Sequence, residues 1–200
     1  MNDDLSARRR LIDAAMMLVA ARGFAATTVG AIEEEAGLAP RSGALYTHFP
    51  SKLAVLEAGL EVNLASVSST EADLALMPLS DLRVELELLG RWLLTELDRE
   101  RDLTQVLERE GDRLPQLRDR VRAEISDRGY RAAAAFIERW AADLHLPTED
   151  HDALAVLLVG MLVNLRRSAW TFGAEPLGVD DDRAIAAFVA VGTTVLQLRE

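Results

Sequence analysis

Residues 27–52 contain polar side chains whose types and spacing suit contact with a DNA duplex. Leu45 and Phe49 lie four residues apart, so both fall on one apolar face of a short helix. The side chains on its other faces or close behind it are Ser42, Tyr46, Thr47, His48 and Lys52. With the guanidinium of Arg41, these groups can donate hydrogen bonds to phosphates and to base edges in the major groove. The pattern therefore predicts a DNA-reading helix.

A second short helix is predicted just before this one. Thr27 or Thr28 is a suitable N-cap, and apolar residues then recur at helical spacing. Gly37 can adopt the left-handed conformation that ends such a helix. Pro40 can begin the next helix or bend the approach to it. The two helices are thus predicted to be joined by a turn that contains glycine.

Taken in order, these residues resemble the N-terminal domain of the tetracycline-repressor (TetR) family of bacterial transcription regulators. The motifs that carry the resemblance are Ile12-Asp-Ala-Ala15, Gly23-Phe24, Thr27-Thr28-Val29, Ile32, Ala36-Gly37-Leu38, Leu45-Tyr46-Thr47-His48-Phe49 and Ser51-Lys52. The resemblance implies an all-α fold with a three-helix DNA-binding domain of the helix-turn-helix type at residues 1–52. Residues 53–200 would then form a helical domain for effector binding and dimerisation. Beyond residue 60 the resemblance is only architectural.

Two features depart from the family pattern. The family usually has five residues between the positions of Gly37 and Leu45, whereas this chain has seven. Glu33 stands where the family usually has a small residue. Because a small residue there lets the two helices approach closely, we interpret the longer turn and the bulkier side chain as linked changes. Because of these two changes, the family pattern does not determine which residues of this chain contact the bases.

The candidate DNA contacts fall into two groups. We expect phosphate contacts from Thr28, Tyr46, His48 and Lys52. We expect contacts to base edges from Arg41, Ser42 and Thr47. The run Arg8–Arg10 allows two interpretations, solvated charge at a helix start or further phosphate contacts.

The net charge of −11 is unusual for a DNA-binding protein. Residues 1–52 carry six basic and six acidic side chains, so the excess negative charge belongs to residues 53–200. The one lysine of the chain is Lys52. An acidic remainder should suppress non-specific adhesion to DNA and leave contact to a single face.

Composition narrows the class of protein further. Half of the residues are hydrophobic, with few glycines and prolines, which is typical of a globular and mostly helical chain. The sequence contains no cysteine, which excludes disulfides and thiolate metal sites. The start of the chain lacks the order of a signal peptide, and the longest apolar run, 153–163, is shorter than the roughly 20 residues of a membrane span. We expect a cytoplasmic protein with no membrane span, metal or cofactor.

The last two predicted helices suggest how the chain assembles. Apolar spacing and caps predict helices at 6–22, 51–69, 81–100, 103–110, from Pro115 to beyond Trp140, at 152–171 and at 180–199. The last two are apolar on more than one face, so they must be covered on more than one side. A second copy can cover them in a four-helix interface about a two-fold axis, and the family resemblance implies the same homodimer. The alternative is that both are central helices of a monomer.

A pocket for a small organic effector is expected among the helices of residues 82–143 and 152–171. The candidate lining residues are Trp92, Arg122, Tyr130, Phe136, Trp140 and Asn164. They are mostly apolar with a few polar groups, as such pockets require, although they could equally form a solid core. The acidic surroundings favour a neutral or cationic apolar compound unless an arginine such as Arg122 points inward.

Signatures of catalysis are missing from the sequence. The three histidines, His48, His145 and His151, have no metal-ligand spacing. There is no Gly-rich phosphate loop and no nucleophile elbow, so we expect no catalytic residue and no enzyme.

The expected function is a ligand-responsive transcription regulator, a repressor that a small molecule releases from a palindromic operator on double-stranded DNA. The alternative is a helical small-molecule-binding or interaction protein on the same scaffold, with weak or lost DNA binding.

Overall fold

A computed structural model describes residues 2–75, 81–144 and 150–196 of the chain. The α-helices are α1 (Asn2–Arg22), α2 (Val29–Glu35), α3 (Ala44–His48), α4 (Lys52–Ala75), α5 (Leu82–Arg99), α6 (Arg101–Glu110), α7 (Pro115–Val121), α8 (Asp127–Leu144), α9 (His151–Phe172) and α10 (Asp181–Val195). A π-helical turn, Arg122–Ser126, joins α7 to α8, and a 3₁₀ turn, Pro176–Gly178, precedes α10. Regular structure in these ranges is helical throughout, which confirms the predicted all-α class.

Most helix boundaries follow the local chemistry, with two corrections. Ser51 caps α4 by accepting a hydrogen bond from the Ala54 amide at 3.1 Å, as expected. Pro40 does not begin the predicted DNA-reading helix, because that helix, α3, starts four residues later at Ala44. The helix predicted from Pro115 to beyond Trp140 is interrupted by the π-helical turn between α7 and α8. The predicted breaks at 77–80 and 146–148, and His145, lie outside the described residues.

The helices pack as two compact units, and each has its own buried side chains. The first comprises residues 1–70 and 100–122, so α6 and α7 pack with the helix-turn-helix segment. Within it, α1 and α4 approach so closely that a Cβ atom at Gly59 would lie 2.8 Å from the Met16 sulfur. Its most buried side chains include Leu11, Ile12, Val19, Ile32, Leu45, Val55, Leu56 and Leu60. The division predicted at residue 52 stays a prediction.

The second unit, residues 71–99 and 123–200, is built on α5, α8, α9 and α10. Two glycines bring α5 and α10 together: a Cβ atom at Gly90 would lie 2.7 Å from Ile185, and one at Gly192 would lie 3.0 Å from Leu86. The buried cluster comprises Leu82, Leu86, Leu94, Ala134, Ile137, Trp140, Ala155, Leu158, Leu162, Ile185, Phe188, Val189 and Leu196. Inward-facing apolar residues of these four helices, most of them aliphatic, therefore hold the unit together.

Helix α9 is long and apolar enough to cross a membrane by length and composition alone. An apolar helix of a water-soluble protein can meet the same criterion. One face of α9 packs on α5, α8 and α10, and its Arg166 is paired with two aspartates of the same unit. The other face carries exposed apolar side chains, which a partner chain could cover.

Candidate DNA-binding surface

The turn between α2 and α3 is shaped by three residues with positive φ. Thr28 caps the start of α2, accepting a hydrogen bond from the Ala31 amide at 3.2 Å. Gly37 (φ 70°) follows the end of α2, as predicted, and Gly43 (φ 78°) immediately precedes α3. Arg41 also has positive φ (60°), a conformation that non-glycine residues seldom adopt. Its Cγ packs over Gly30, where an added Cβ would lie only 3.2 Å away. The longer turn is thus folded back onto α2.

Glu33, one of the two departures from the family pattern, holds the start of α3. Its side chain is buried with 0% exposure, and its Oε1 accepts a hydrogen bond from the Leu45 amide at 3.1 Å. Helices leave their first amides without partners inside the helix, so the carboxylate takes the role of a cap. The Ser42 hydroxyl accepts from the Ala44 amide at 3.3 Å, which satisfies the preceding donor. Glu33 therefore connects α2 directly to α3.

Four of the side chains predicted to contact DNA are exposed together on the turn and on α3. Arg41, Ser42, Tyr46 and Thr47 are all exposed, and 59% of the Tyr46 surface is open to solvent. Leu45, which lies between Ser42 and Tyr46 in the sequence, is completely buried. Helix α3 therefore packs on the core through its apolar side and exposes its polar side. Thr28 is also exposed, and its hydroxyl can still donate while it accepts from the backbone. His48 is half-buried, with its ring 6.4 Å from that of Phe49.

Lys52 is placed differently from the other predicted phosphate contacts. Its ammonium donates to the Phe24 carbonyl and, at 2.6 Å, to the Thr27 carbonyl. It also lies 4.1 Å from the centroid of the Phe24 ring. Burial lowers the pKa of Lys52 below its usual value, while the nearby Glu110 carboxylate opposes part of that shift. The side chain thus ties the start of α4 to the loop between α1 and α2.

Helix α6 also anchors this loop, through contacts that no sequence pattern predicts. Glu110, almost completely buried, accepts a hydrogen bond from the Phe24 amide at 3.0 Å. Arg109 donates to the Ala21 carbonyl at 2.6 Å. A Cβ atom at Gly23 would lie only 2.7 Å from the Glu110 carboxylate. These contacts join residues more than eighty positions apart and fix the loop that leads into α2.

The arginines near the N-terminus have intramolecular contacts. Arg10 donates from Nε to the carbonyl of Ala36, at the end of α2, at 2.9 Å. Arg9 pairs with Asp13 one turn further along α1. The Arg8 guanidinium lies 5.0 Å from the centroid of the Phe49 ring. Arg8 and Arg10 thus support the helix-turn-helix segment, a role that the sequence interpretation missed.

The six predicted effector-binding residues do not form one group in the structure. Arg122 is exposed and belongs to the first unit, whereas the others belong to the second. Asn164 is exposed on α9. Trp140 belongs to the buried cluster, and its indole N–H donates to Glu85 at 2.7 Å.

The remaining three aromatic residues are partly buried. Tyr130 and Phe136 lie on α8, and Phe136 packs against the buried cluster. Trp92 lies on α5, and its buried indole N–H has no hydrogen-bond partner among the described residues. Such a donor is uncommon, since buried polar groups are usually paired. Of the predicted effector contacts, Trp92 therefore has a buried donor that a ligand could use.

An open pocket of about 730 Å³ occurs elsewhere in the second unit. It is lined by Arg91, Asp98, Arg166, Trp170, Glu175, Asp180, Asp181 and Asp182. Arg166 makes two hydrogen bonds to the Asp181 carboxylate, at 2.7 and 2.8 Å, and its Nε lies 3.1 Å from Asp98. The hydrogen bonds from Arg166 lower the pKa of Asp181. These ion pairs connect α5 and α9 to the start of α10, and none of the predicted effector residues lines the pocket.

The geometry defines a class of protein. A short helix with an exposed polar face, seated through a tight turn on a preceding helix, is the helix-turn-helix arrangement of DNA-binding proteins. Among the described residues there is no group of three side chains placed to bind a metal ion.

The N-terminal segment of the chain is similar to the TetR family of bacterial transcription regulators. Residues 11–58 match the model of the family described as "Bacterial regulatory proteins, tetR family". The match includes α2, α3 and the start of α4, so it covers the candidate surface itself. The match supports a DNA-binding transcription regulator, as the sequence resemblance implied.

Solved structures with the same fold span nearly the whole chain. A TetR-like transcriptional regulator from Rhodococcus sp. is 20% identical, with a TM-score of 0.71 over 96% of this chain and 97% of that one. A TetR-family regulator from Mesorhizobium loti is 21% identical, with a TM-score of 0.69 over 96% and 97%. The flavonoid-responsive regulator FrrA is 21% identical, with a TM-score of 0.62 over 95% and 94%. No curated protein sequence matches the chain significantly.

Proposed function

We propose that the chain is a cytoplasmic, homodimeric repressor that leaves a palindromic operator when a small organic molecule binds. The observation that carries the DNA-binding part is the exposed polar surface of α3 and its turn, held in place by Glu33 and by the buried side chain of Leu45. A side-chain surface that is solvated yet fixed to the core is suited to reading base edges.

The DNA contacts are proposed residue by residue. Tyr46, Thr28 and His48 contact phosphates, which positions the protein without reading sequence. Arg41, Ser42 and Thr47 contact base edges, because they extend from the exposed turn and α3. For Lys52 the geometry supports a structural role over a phosphate contact, since its ammonium already has two backbone acceptors.

The proposed dimer uses the exposed apolar faces of α9 and α10. On α9, Val156, Leu157 and Met161 are 49%, 68% and 39% exposed. On α10, Val191 is 41% exposed. Gly160 has open space around it, so the backbone of a second α9 could approach there. Apolar side chains that recur every three to four residues and stay exposed mark an interaction surface, and a second copy supplies a matching one.

The proposed effector contacts centre on Trp92, with Tyr130 and Phe136 on α8. The unpartnered indole N–H of Trp92 would donate to a ligand acceptor, and the aromatic rings would supply apolar contact. A flavonoid-responsive regulator with this fold supports an organic effector in general terms. To release the operator, the ligand must bind more tightly to the dimer that does not fit DNA.

Selection of duplexes from random-sequence DNA with the purified protein tests the proposal. We expect a palindromic consensus that also shifts in a gel. Tyr46→Phe should weaken binding to all selected sequences alike, whereas Arg41→Ala should relax the preference at one position in each half-site. If the folded dimer selects no sequence, the chain is a helical binding protein on this scaffold.

Thermal-shift screening of mixed compounds tests the effector. A compound that stabilises the protein should also release the selected duplex, and Trp92→Phe should weaken both effects because it removes the indole N–H. Stabilising compounds that never affect DNA binding would contradict the coupling.

A further inference from the structure

We propose that Glu33 is a positioning residue for DNA recognition: its buried carboxylate, anchored on α2, sets the orientation of the recognition helix α3 and thereby the bases that are read. This role rests on the proposed function, in which α3 reads DNA, and adds what determines the orientation of that helix.

The residue before α3 cannot cap the helix itself. Gly43 occupies the N-cap position with φ 78° and has no side chain, so it supplies no side-chain acceptor for the first amides. Residues with side chains seldom adopt that φ, so a Ser or Asp cap at this position would be strained. The Leu45 amide instead finds its acceptor twelve residues earlier, on Glu33. For the Leu45 amide, this long-range bond takes the place of a local cap, whereas the Ala44 amide donates to the nearby Ser42 hydroxyl.

Both ends of this bond are fixed. Glu33 is completely buried on α2, and the Leu45 side chain is completely buried beneath α3. Leu45 is thus held twice, by its side chain and by its amide. Successive helical residues are about 100° apart around the axis, so a rotation of α3 about Leu45 would redirect Tyr46 and Thr47.

The turn before α3 rests on the same helix. Gly30 lies one turn before Glu33 on α2, and the Arg41 side chain packs over it at a distance that leaves no room for a Cβ without a shift. Gly30 contacts the turn and Glu33 accepts a hydrogen bond from α3, so α2 supports both parts of the reading surface.

The burial of Glu33 is costly, which argues against a role in stability alone. Its Oε2 is buried and has no hydrogen-bond partner among the described residues. A buried carboxylate oxygen without a partner opposes folding, because it has lost its hydration. Removing the side chain should therefore change stability much less than it changes the placement of α3.

Two variants and one control separate positioning from stability. Glu33→Ala removes the acceptor, whereas Glu33→Gln has the same shape and keeps a carbonyl oxygen for the Leu45 amide. Glu34→Ala is the matched control, since Glu34 is an exposed glutamate next in the same helix.

Amide hydrogen exchange tests the contact without DNA. In Glu33→Ala, exchange of residues 43–49 should quicken by roughly tenfold, the size of a typical lost cap, while α1 exchanges as in the wild type. Glu33→Gln and Glu34→Ala should both stay close to the wild type. Unchanged exchange in Glu33→Ala would overturn the proposal.

Duplex selection with the same variants tests the consequence for recognition. Glu33→Ala should lose about tenfold in affinity for the wild-type consensus and select an altered or relaxed one, while its unfolding midpoint moves by only a few degrees. Glu33→Gln should restore the wild-type consensus. An unchanged consensus for Glu33→Ala, with affinity falling only as stability falls, would show a merely structural role. Failure of the wild type to select any duplex would instead contradict the proposed function, and the exchange result would still decide the Glu33 contact.

Discussion

The recognition helix and the α9–α10 pair expose opposite kinds of surface, and opposite kinds of contact hold them. Helix α3 is five residues long, presents polar groups, and is fixed by a buried carboxylate and by one buried leucine. Helices α9 and α10 are held by a buried apolar cluster and still expose valine, leucine and methionine. Directional hydrogen bonds fix the aim of a small element, whereas non-directional apolar burial holds long helices and leaves surface for a partner.

The largest effect should come from a charge on the apolar face. Leu157→Glu or Val191→Glu would bury an unpaired carboxylate in the proposed dimer, at a cost of several kcal/mol. Sedimentation should show monomers or unfolded chain. Ala132→Glu, at an exposed alanine of α8, is the control and should remain dimeric. Folded dimers in both test variants would place the interface elsewhere.

The next effect concerns the loop that leads into the recognition module. Gly23→Ala combines a positive φ of 86° with a Cβ only 2.7 Å from the Glu110 carboxylate, whereas Gly37→Ala has positive φ and open space. Gly37→Ala should cost about 1–2 kcal/mol, and Gly23→Ala clearly more. Urea unfolding measures both. Equal losses of unfolding free energy in the two variants would mean that the Glu110 side chain moves aside without an energetic cost.

A smaller effect distinguishes the two roles of Lys52. Lys52→Met should lower the unfolding midpoint, because the carbonyls of Phe24 and Thr27 lose their donor. The dependence of DNA affinity on salt should stay the same if Lys52 touches no phosphate. A slope lower by about one unit would restore Lys52 as a phosphate contact.

The smallest effect is a pH dependence in the second unit. Arg166 lowers the pKa of Asp181 below its ordinary value of 3.8, so the unfolded chain binds more protons there than the folded one. The stabilisation is present above pH 3.8 and is lost as the pH falls through the lowered pKa. Thermal unfolding of Asp181→Asn should therefore differ from the wild type at neutral pH and converge with it in acid. Glu175→Gln, another exposed carboxyl of the pocket, should show no such convergence.

The sequence predicted the parts of this fold that depend on local patterns. The polar face of α3 follows from the four-residue spacing of Leu45 and Phe49, and the left-handed Gly37 from its place after α2. Glu33 could be recognised as unusual, but its hydrogen bond to Leu45 depends on how the longer turn folds. Glu110 could not be connected with Phe24, because 86 residues separate them and no periodicity records such a contact.

The predicted effector residues were chosen by type, and type does not determine direction. Trp140 uses its indole N–H within the core, and Asn164 lies three residues after Met161 on the exposed side of α9. Only the tertiary packing decides which aromatic residue keeps an unpartnered donor, as Trp92 does among the described residues.

Sedimentation of the wild-type protein on its selected duplex tests whether a dimer reads a symmetric operator. We expect two chains on one palindromic duplex, with half-site centres ~34–36 Å apart or a multiple of that distance, because two recognition helices are related by the dimer axis. A single chain bound to a site without two-fold symmetry would contradict it.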